Sequence, residues 1–406
     1  MRRLLLSVLA GTVLCSTASA LYVDTLHEFS GGTTDGGRPQ GALTRDGTKL
    51  YGMTSQYCAA GWGGVFTMST DGTGFTILHD FAISATNGRT PIGSLILDGS
   101  TLYGMTRNGG SSGLGTVFSI GTDGTGFTIL HSFTGGAGDG SQPYGSLTLS
   151  GGTLYGMTAQ GGDDDAGVIF GVTTAGTGFG VLHEFEGLAN GSSPYGNLTL
   201  DGSKFYGLTR TGGASNSGVV FSIDTDGTDF ALLHEFAGGG SDGSLPNASL
   251  ILDNGTLYGT TEDGGDGDFG TVFSIDTDGS DFSLLYEFTG GTDDGWSPLG
   301  TLALEGSTLY GMTSGGGDVY LGTIFSVGTD GTGYKVEHEF LSGAGDGASP
   351  YYGELIPGGS LPLYGMTYGG GASGVGTVFA LTPEPASIVF LGLGATGLAL
   401  YWRKRR

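Results

Sequence analysis

Gly93-Ser-Leu-Ile-Leu-Asp-Gly-Ser100, Leu102-Tyr-Gly-Met-Thr106, Gly115-Thr-Val-Phe118, Thr122-Asp-Gly-Thr-Gly-Phe127, Leu130-His-Ser-Phe133 and Asp139-Gly-Ser-Gln-Pro143 follow one another without interruption by any other motif. This unit occurs seven times. Its first tyrosine is Tyr51, Tyr103, Tyr155, Tyr206, Tyr258, Tyr310 and Tyr364, at steps of 52, 52, 51, 52, 52 and 54 residues, the last lengthened by Leu361 and Pro362. The phenylalanine of the Gly-Thr-Val-Phe motif keeps the same register from Phe66 to Phe379. A fixed period of this size marks a repeat array rather than one ordinary core.

Each unit reads as four short strands. Ser-Leu-Ile-Leu alternates, and the Asp98-Gly99 turn leads to Leu102–Thr106. Val117–Ile120 follows after a Gly/Ser-rich gap, and the Asp123-Gly124 turn leads to Phe127–Phe133. Asp-Gly supplies the positive φ of a tight hairpin, and no segment has the apolar period of a helix. The reading is all-β: a seven-bladed β-propeller of four-stranded blades. The first fourth-strand motif, Leu26-His27-Glu28-Phe29, precedes any first strand, and the seventh unit stops after Phe379 where its own fourth strand is due. The N-terminal strand is therefore expected to complete the last blade and close the ring, leaving no unpaired edge between the ends.

Three regions are expected. Residues 1–20 read as a signal peptide: Arg2 and Arg3, an apolar core from Leu4 to Leu14, and a small-residue cleavage site at Ala18-Ser19-Ala20. Leu14 before Cys15 speaks against lipidation. Residues 21–382 are the propeller. The chain holds 87 Gly and 11 Pro, near low-complexity levels, yet these recur in register with Leu, Ile, Val, Phe and Tyr, which excludes disorder. Residues 383–406 differ in kind: Pro383-Glu384-Pro385, an apolar run from Ala386 to Trp402, then Arg403-Lys404-Arg405-Arg406. The run is long enough for one membrane span, with the basic end on the cytoplasmic side.

That tail resembles the PEP-CTERM sorting segment of Gram-negative bacteria, with Pro383, Glu384 and Pro385 as the sorting residues. The resemblance implies transient anchoring, then processing by an exosortase-type membrane enzyme in a system that accompanies exopolysaccharide production. The Leu-Tyr-Gly-x-Thr and Gly-Thr-Val-Phe pairs resemble the GloVer tandem repeats, which implies a surface protein and brings no catalytic residues.

Without leader and tail, eight Lys and Arg stand against 38 Asp and Glu, a net charge of −30. Nucleic acid and anionic membrane surfaces are repelled as partners; cations, neutral sugars or another surface protein are not. Only Cys58 remains, so no internal disulfide is expected.

All six histidines (His27, His79, His131, His183, His234, His338) occupy one repeat position, with Tyr286 in the seventh copy. Catalysis needs unlike groups converging on a point, so these read as flat hydrogen-bonding side chains packed between blades, with the neighbouring acids in the same role. Asp224, Asp226 and Asp229, and Asp276, Asp278 and Asp281, resemble part of a calcium loop but lack the further oxygens of a full one. They read as hairpin turns, with weak calcium binding the alternative and no other cofactor expected. The Asp/Asn-Gly-x-x-Pro segments read as linkers that proline holds extended.

What breaks the repeat is more informative. The linker into each first strand and the loop between strands two and three share one face, opposite the Asp-Gly turns. The residue after Leu-Tyr-Gly-x-Thr varies: Ser55, Arg107, Ala159, Arg210, Glu262, Ser314 and Tyr368. Tyr57, Trp62, Trp296 and Tyr320 belong to the same face. Candidate ligand residues are therefore Tyr57, Trp62, Arg107, Arg210, Glu262, Trp296, Tyr320 and Tyr368, a set suited to stacking on sugar rings and bonding their hydroxyls. No Ser/His/Asp constellation, metal-ligand spacing or phosphate loop stands out, so no catalytic or metal residue is assigned. The expected role is a binding or structural module of the envelope or exopolysaccharide matrix. The alternative is a carbohydrate-active enzyme, a glycosidase or lyase, using carboxylates on the same face.

Overall fold

The computed structural model describes residues 21–357 and 361–384. Seven four-stranded antiparallel sheets are arranged as the repeat demands. In the first blade the order is Thr44–Asp46, Lys49–Thr54, Gly64–Ser69 and Thr76–Asp80. The seventh blade is Ile356–Pro357, Leu363–Thr367, Thr377–Pro383 and, as its fourth strand, the N-terminal Leu21–Glu28. The ring closes as expected, with Leu21 opposite Pro383 and Glu28 opposite Thr377. Pro383, read from sequence as the first residue of the tail, is the last residue of the final strand. The expected signal peptide and the apolar and basic parts of the tail lie outside the described residues. Among the described residues no helix is long and apolar enough to cross a membrane.

The core lies between blades. Each fourth strand is followed at once by a phenylalanine (Phe29, Phe81, Phe133, Phe185, Phe236, Phe288, Phe340) no more than 1 % exposed. It meets the third-strand phenylalanine of the following blade edge to face, as in Phe133–Phe170 at 5.2 Å, a geometry that aromatic quadrupoles favour. The glycine of Leu-Tyr-Gly-x-Thr makes room for that ring: a Cβ on Gly156 would stand 2.7 Å from Phe170 Cζ. The threonine that ends the same motif is fully buried and, in every blade but the first, bonds a carbonyl two residues on, as Thr106 Oγ1 does to Asn108 at 2.8 Å; Thr54 Oγ1 meets Cys58 Sγ instead.

The histidines pack between blades as expected. His131 lies flat on Phe179 of the next blade at 3.6 Å and His79 on Phe127 at 3.7 Å; Tyr286 does the same on Tyr334 at 3.5 Å. A β-bulge precedes each of them, as at Val117/Phe118 opposite His131 and Ile129. The bulge breaks the two-residue alternation, so Leu130 and His131 both contact the next blade. The neighbouring acids are structural too: Glu184 accepts the N–H groups of Gly138 and Asp163 at 3.0 and 2.8 Å.

The linkers differ from their expected extended form. The Asp or Asn of Asp/Asn-Gly-x-x-Pro is the partner of the histidine eight or seven residues before it: His131 Nε2 is 3.1 Å from Asp139, and His183 Nε2 is 3.4 Å from Asn190. Asp139 also accepts the N–H groups of Thr134 and Gly140, which folds the linker around one carboxylate. The residue before each proline is left-handed, from φ 47° at Ser349 to 56° at Arg38. Its N–H bonds the preceding blade's second loop and its carbonyl takes the N–H of its own blade, as Gln142 does with Leu114 and Ala159. Proline therefore caps a folded inter-blade bridge.

Candidate functional site

The linkers bring one residue per blade to the propeller axis, immediately after the proline: Gln40, Ile92, Tyr144, Tyr195, Asn247, Leu299 and, with one residue inserted, Tyr351 and Tyr352. Two residues further in lies a second ring: Ala42, Ser94, Ser146, Asn197, Ser249, Thr301 and, after the insertion, Glu354. This inner ring is hydrogen-bonded from blade to blade. The Ala42 N–H donates to Ser94 Oγ at 2.7 Å and the Ser94 N–H to Ser146 Oγ at 2.6 Å. The Ser146 N–H donates to Asn197 Oδ1, the Asn197 N–H to Ser249 Oγ at 2.8 Å, and the Ser249 N–H to Thr301 Oγ1 at 3.1 Å. The series runs from Ala42 to Thr301 and stops on both sides of the seventh blade: the Thr301 N–H makes no such bond to Glu354, and alanine at position 42 offers Glu354 no side-chain acceptor.

Glu354 stands at that break. The ring encloses it, although some of its surface faces the channel. Burial pushes its carboxyl up to about 7, and no partner among the described residues offsets this. The cavity in front of it measures about 40 Å³. At roughly 10–15 Å³ per water centre it takes a few waters and no sugar ring. A larger ligand must rest on the mouth.

At the mouth Tyr144 and Tyr195 stack at 4.2 Å. Arg107 lies over Tyr144 at 4.6 Å and donates to Gln142 Oε1 at 3.1 Å. Arg210 lies over Tyr195 at 5.8 Å, donates through Nε to Asn247 Oδ1 at 2.9 Å and pairs with Glu262 at 2.9 Å. Asn247 Nδ2 donates to the same Glu262 oxygen at 2.6 Å. Burial alone would lower the Arg210 pKa; Glu262 outweighs it and holds the guanidinium protonated. Tyr368, Tyr351, Ser349 and Gln40 line an open depression of about 420 Å³ beside the mouth, with Arg38 over Tyr368 at 4.6 Å and Tyr57 near the same guanidinium.

Of the residues expected on the ligand face, Arg107, Arg210 and Glu262 therefore meet at the mouth, and Tyr57 and Tyr368 share Arg38 beside it. Trp62 does not join them; it pairs with Arg89 at 5.3 Å. Trp296 and Tyr320 form a separate cluster, 5.5 Å apart, with Phe269 6.4 Å from Trp296. Sequence reasoning missed Tyr144, Tyr195, Asn247, Tyr352 and Glu354. The signal was present: the column after the invariant proline varies as freely as the column after threonine.

The aspartates of the turn motifs are engaged locally. Asp226 Oδ1 accepts the Thr228 N–H and hydroxyl at 3.0 and 2.6 Å, and Asp278 does the same with Ser280. Asp224 pairs with Lys204 at 2.6 Å. Among the described residues no three His, Cys, Asp or Glu side chains converge as metal ligands. Cys58 is a buried free thiol, pushed up to about 11 by burial.

Fold and site together define a closed seven-bladed propeller with a polar axial ring beneath an aromatic mouth. The chain belongs to the Gloeobacter/Verrucomicrobia repeat family, whose model matches residues 9–140, 123–306 and 201–392. Residues 381–406 match the PEP-CTERM protein-sorting motif, which marks a secreted, envelope-associated protein processed by exosortase-type machinery. No curated protein matches the sequence. Among solved structures, an oligogalacturonate lyase in complex with manganese is 12 % identical, with a TM-score of 0.55 over 90 % of this chain and 91 % of that one. An oligogalacturonate lyase from Vibrio parahaemolyticus is 10 % identical, with a TM-score of 0.53 over 89 % and 94 %. At such identity the likeness is one of fold.

Proposed function

We propose that this is a surface propeller of a Gram-negative bacterium that binds polysaccharide of the envelope or exopolysaccharide matrix at its axial mouth, without consuming it. Residues 1–20 act as the leader, 21–382 as the binding domain, and 383–406 as the segment that anchors the chain in the membrane until processing. The supporting observation is the stacked Tyr144–Tyr195 pair flanked by Arg107 and by the Arg210–Asn247–Glu262 set. Flat aromatic faces take the C–H side of a sugar, and fixed donors and acceptors at their edge take its hydroxyls. Of the residues assigned from sequence, Arg107, Arg210 and Glu262 are the proposed contacts at the mouth and Tyr57 and Tyr368 those beside it, with Tyr144, Tyr195 and Asn247 added; Trp62 and the Trp296–Tyr320 pair are proposed as outlying contacts away from the mouth. Weak calcium binding at the turn aspartates stays part of the proposal. A second reading, a polysaccharide lyase, draws support only from the shared propeller fold of the two lyases.

The test is a glycan array and a turnover assay on the secreted protein, with and without calcium, beside Tyr144→Ala/Tyr195→Ala and Trp296→Ala variants. Binding without unsaturated or reducing-end products, lost in the tyrosine variant, supports the mouth as a lectin-like site. Turnover would replace it with the enzyme reading, a lyase where the products are unsaturated and a glycosidase where only reducing ends appear. Binding lost only in Trp296→Ala would move the site to the Phe269–Trp296–Tyr320 cluster.

A further inference from the structure

The chain enters and leaves the ring at one point. Leu21 lies opposite Pro383. By the repeat, Pro383 stands where Thr70 stands in the first blade and Leu21 where Thr73 stands. The seam is therefore the place of the seventh turn between third and fourth strands, a turn that is Asp-Gly in five blades and Ala175-Gly176 in one. The equivalent turns all lie on one face. There they bond the first hairpin turn of their own blade, as Thr70 N–H does to Thr48 and Thr122 N–H to Ser100, both at 2.9 Å. This is the end of the blades opposite the mouth.

The sorting motif begins at residue 381, inside the final strand, where Leu381 is paired with Val23 and Leu363. No spacer separates fold from motif. The apolar run begins at Ala386, three residues after Pro383. Three extended residues reach at most ~10 Å at about 3.3–3.6 Å each. The second strands, such as Thr101–Thr106, are six residues long, so the mouth stands ~20 Å from the turn face at about 3.3 Å per residue. A tether that short lets the ring tilt but not turn over.

We infer that, while the tail holds it, the propeller stands with its Asp-Gly turn face toward the membrane and its processing enzyme, and presents the mouth away from the cell. This rests on the reading of the tail as a membrane tether. The orientation comes from the tether, not from adhesion. Asp71, Asp123, Asp226, Asp278 and Asp330 are exposed on the turn face, and anionic headgroups repel them within a Debye length of about 8–10 Å. Once the motif is cut, the exposed carboxylates of that face disfavour a return to anionic lipid.

Ser203 and Ser215 test this within one blade, since both are exposed, Ser203 in the first hairpin turn and Ser215 in the loop on the mouth side. The full chain carrying Ser203→Cys or Ser215→Cys is labelled with a fluorophore. It is then reconstituted in phosphatidylethanolamine/phosphatidylglycerol vesicles containing a headgroup nitroxide lipid. The expected result is quenching several-fold stronger at position 203 than at 215, with the difference abolished by a flexible spacer of about 30 residues inserted after Pro383. Equal quenching without the spacer, in chain that co-floats with vesicles, overturns the orientation. Chain that does not co-float overturns the tether itself, and the orientation with it.

Discussion

A methyl group on Gly104 would stand 2.7 Å from Phe118 Cζ and 2.9 Å from Leu95 Cδ2, in a core with no slack. Each of the seven Leu-Tyr-Gly-x-Thr glycines meets its own third-strand phenylalanine in this way. Gly104→Ala is expected to destabilise the protein by about 1–3 kcal/mol through overpacking, read as a lower denaturant midpoint with unchanged slope. His183 makes a second prediction. Burial holds its imidazole down to about 4 from an ordinary value of 6.5, and its partner Asn190 carries no charge to offset this. The folded protein then binds fewer protons than the unfolded chain. The stabilising difference is complete above the unfolded value and is lost as pH falls through the folded one. Asp139 acts further into acid. Burial raises its carboxyl pKa, but the bonds from His131 and Thr134 outweigh that and leave it below the ordinary value. The His183 Cε1 proton should titrate near 4 by NMR, and Asn190→Asp should move that midpoint up. A midpoint near 6.5 in the parent protein would refute the account.

Among the elements, the closing strand decides most. Without Leu21–Glu28, the strand Thr377–Pro383 becomes an open edge that carries Phe379 and Leu381, both fully buried in the closed ring. Such an edge templates pairing with other chains. A chain lacking residues 21–28 is expected to melt lower and to self-associate on size-exclusion chromatography. A peptide spanning Leu21–Glu28 should reverse both effects in proportion to its concentration. The linkers show where element-level reading falls short. Proline and Asp-Gly were visible as separate motifs, whereas the Asp139–His131 bond that joins linker to fourth strand spans two of them. The bulge that turns His131 toward Phe179 leaves no mark in a pattern read as strict alternation.

For the whole molecule, charge sets the terms. A net of −30 on the ring, with 38 acids against eight bases, opposes compaction through self-repulsion. Raising ionic strength from about 0.01 M to about 0.15 M shortens the Debye length from about 30 Å to about 8 Å. The melting temperature is expected to rise over that range; a flat or falling curve would show that local pairs, not the summed field, set the balance. Blades touch only their neighbours, so this stabilisation is spread round the ring and not held in one core.

The period of the repeat, the Asp-Gly turns and the displaced first fourth-strand motif by themselves determined the blade count, the four-stranded blade and the closure. Each is a local or translational property that recurs along the chain. They also separated the loop-bearing face from the turn face, because hairpin turns must alternate ends. Which loop residues meet was decided only by the tertiary structure. Arg107, Arg210 and Glu262 come from three different blades, and whether they converge on Tyr144 and Tyr195 depends on how far each linker folds toward the axis. Trp62 and Trp296 carry the same sequence signal, yet the ring places them with Arg89 and with Phe269 and Tyr320. Glu354 shows the limit most plainly. In the chain it is one more variable residue beside a glycine. At the axis it occupies the seventh place of a circuit whose hydrogen bonds run from Ala42 to Thr301 and stop on either side of it, and only closure of the ring puts those residues on the same circuit.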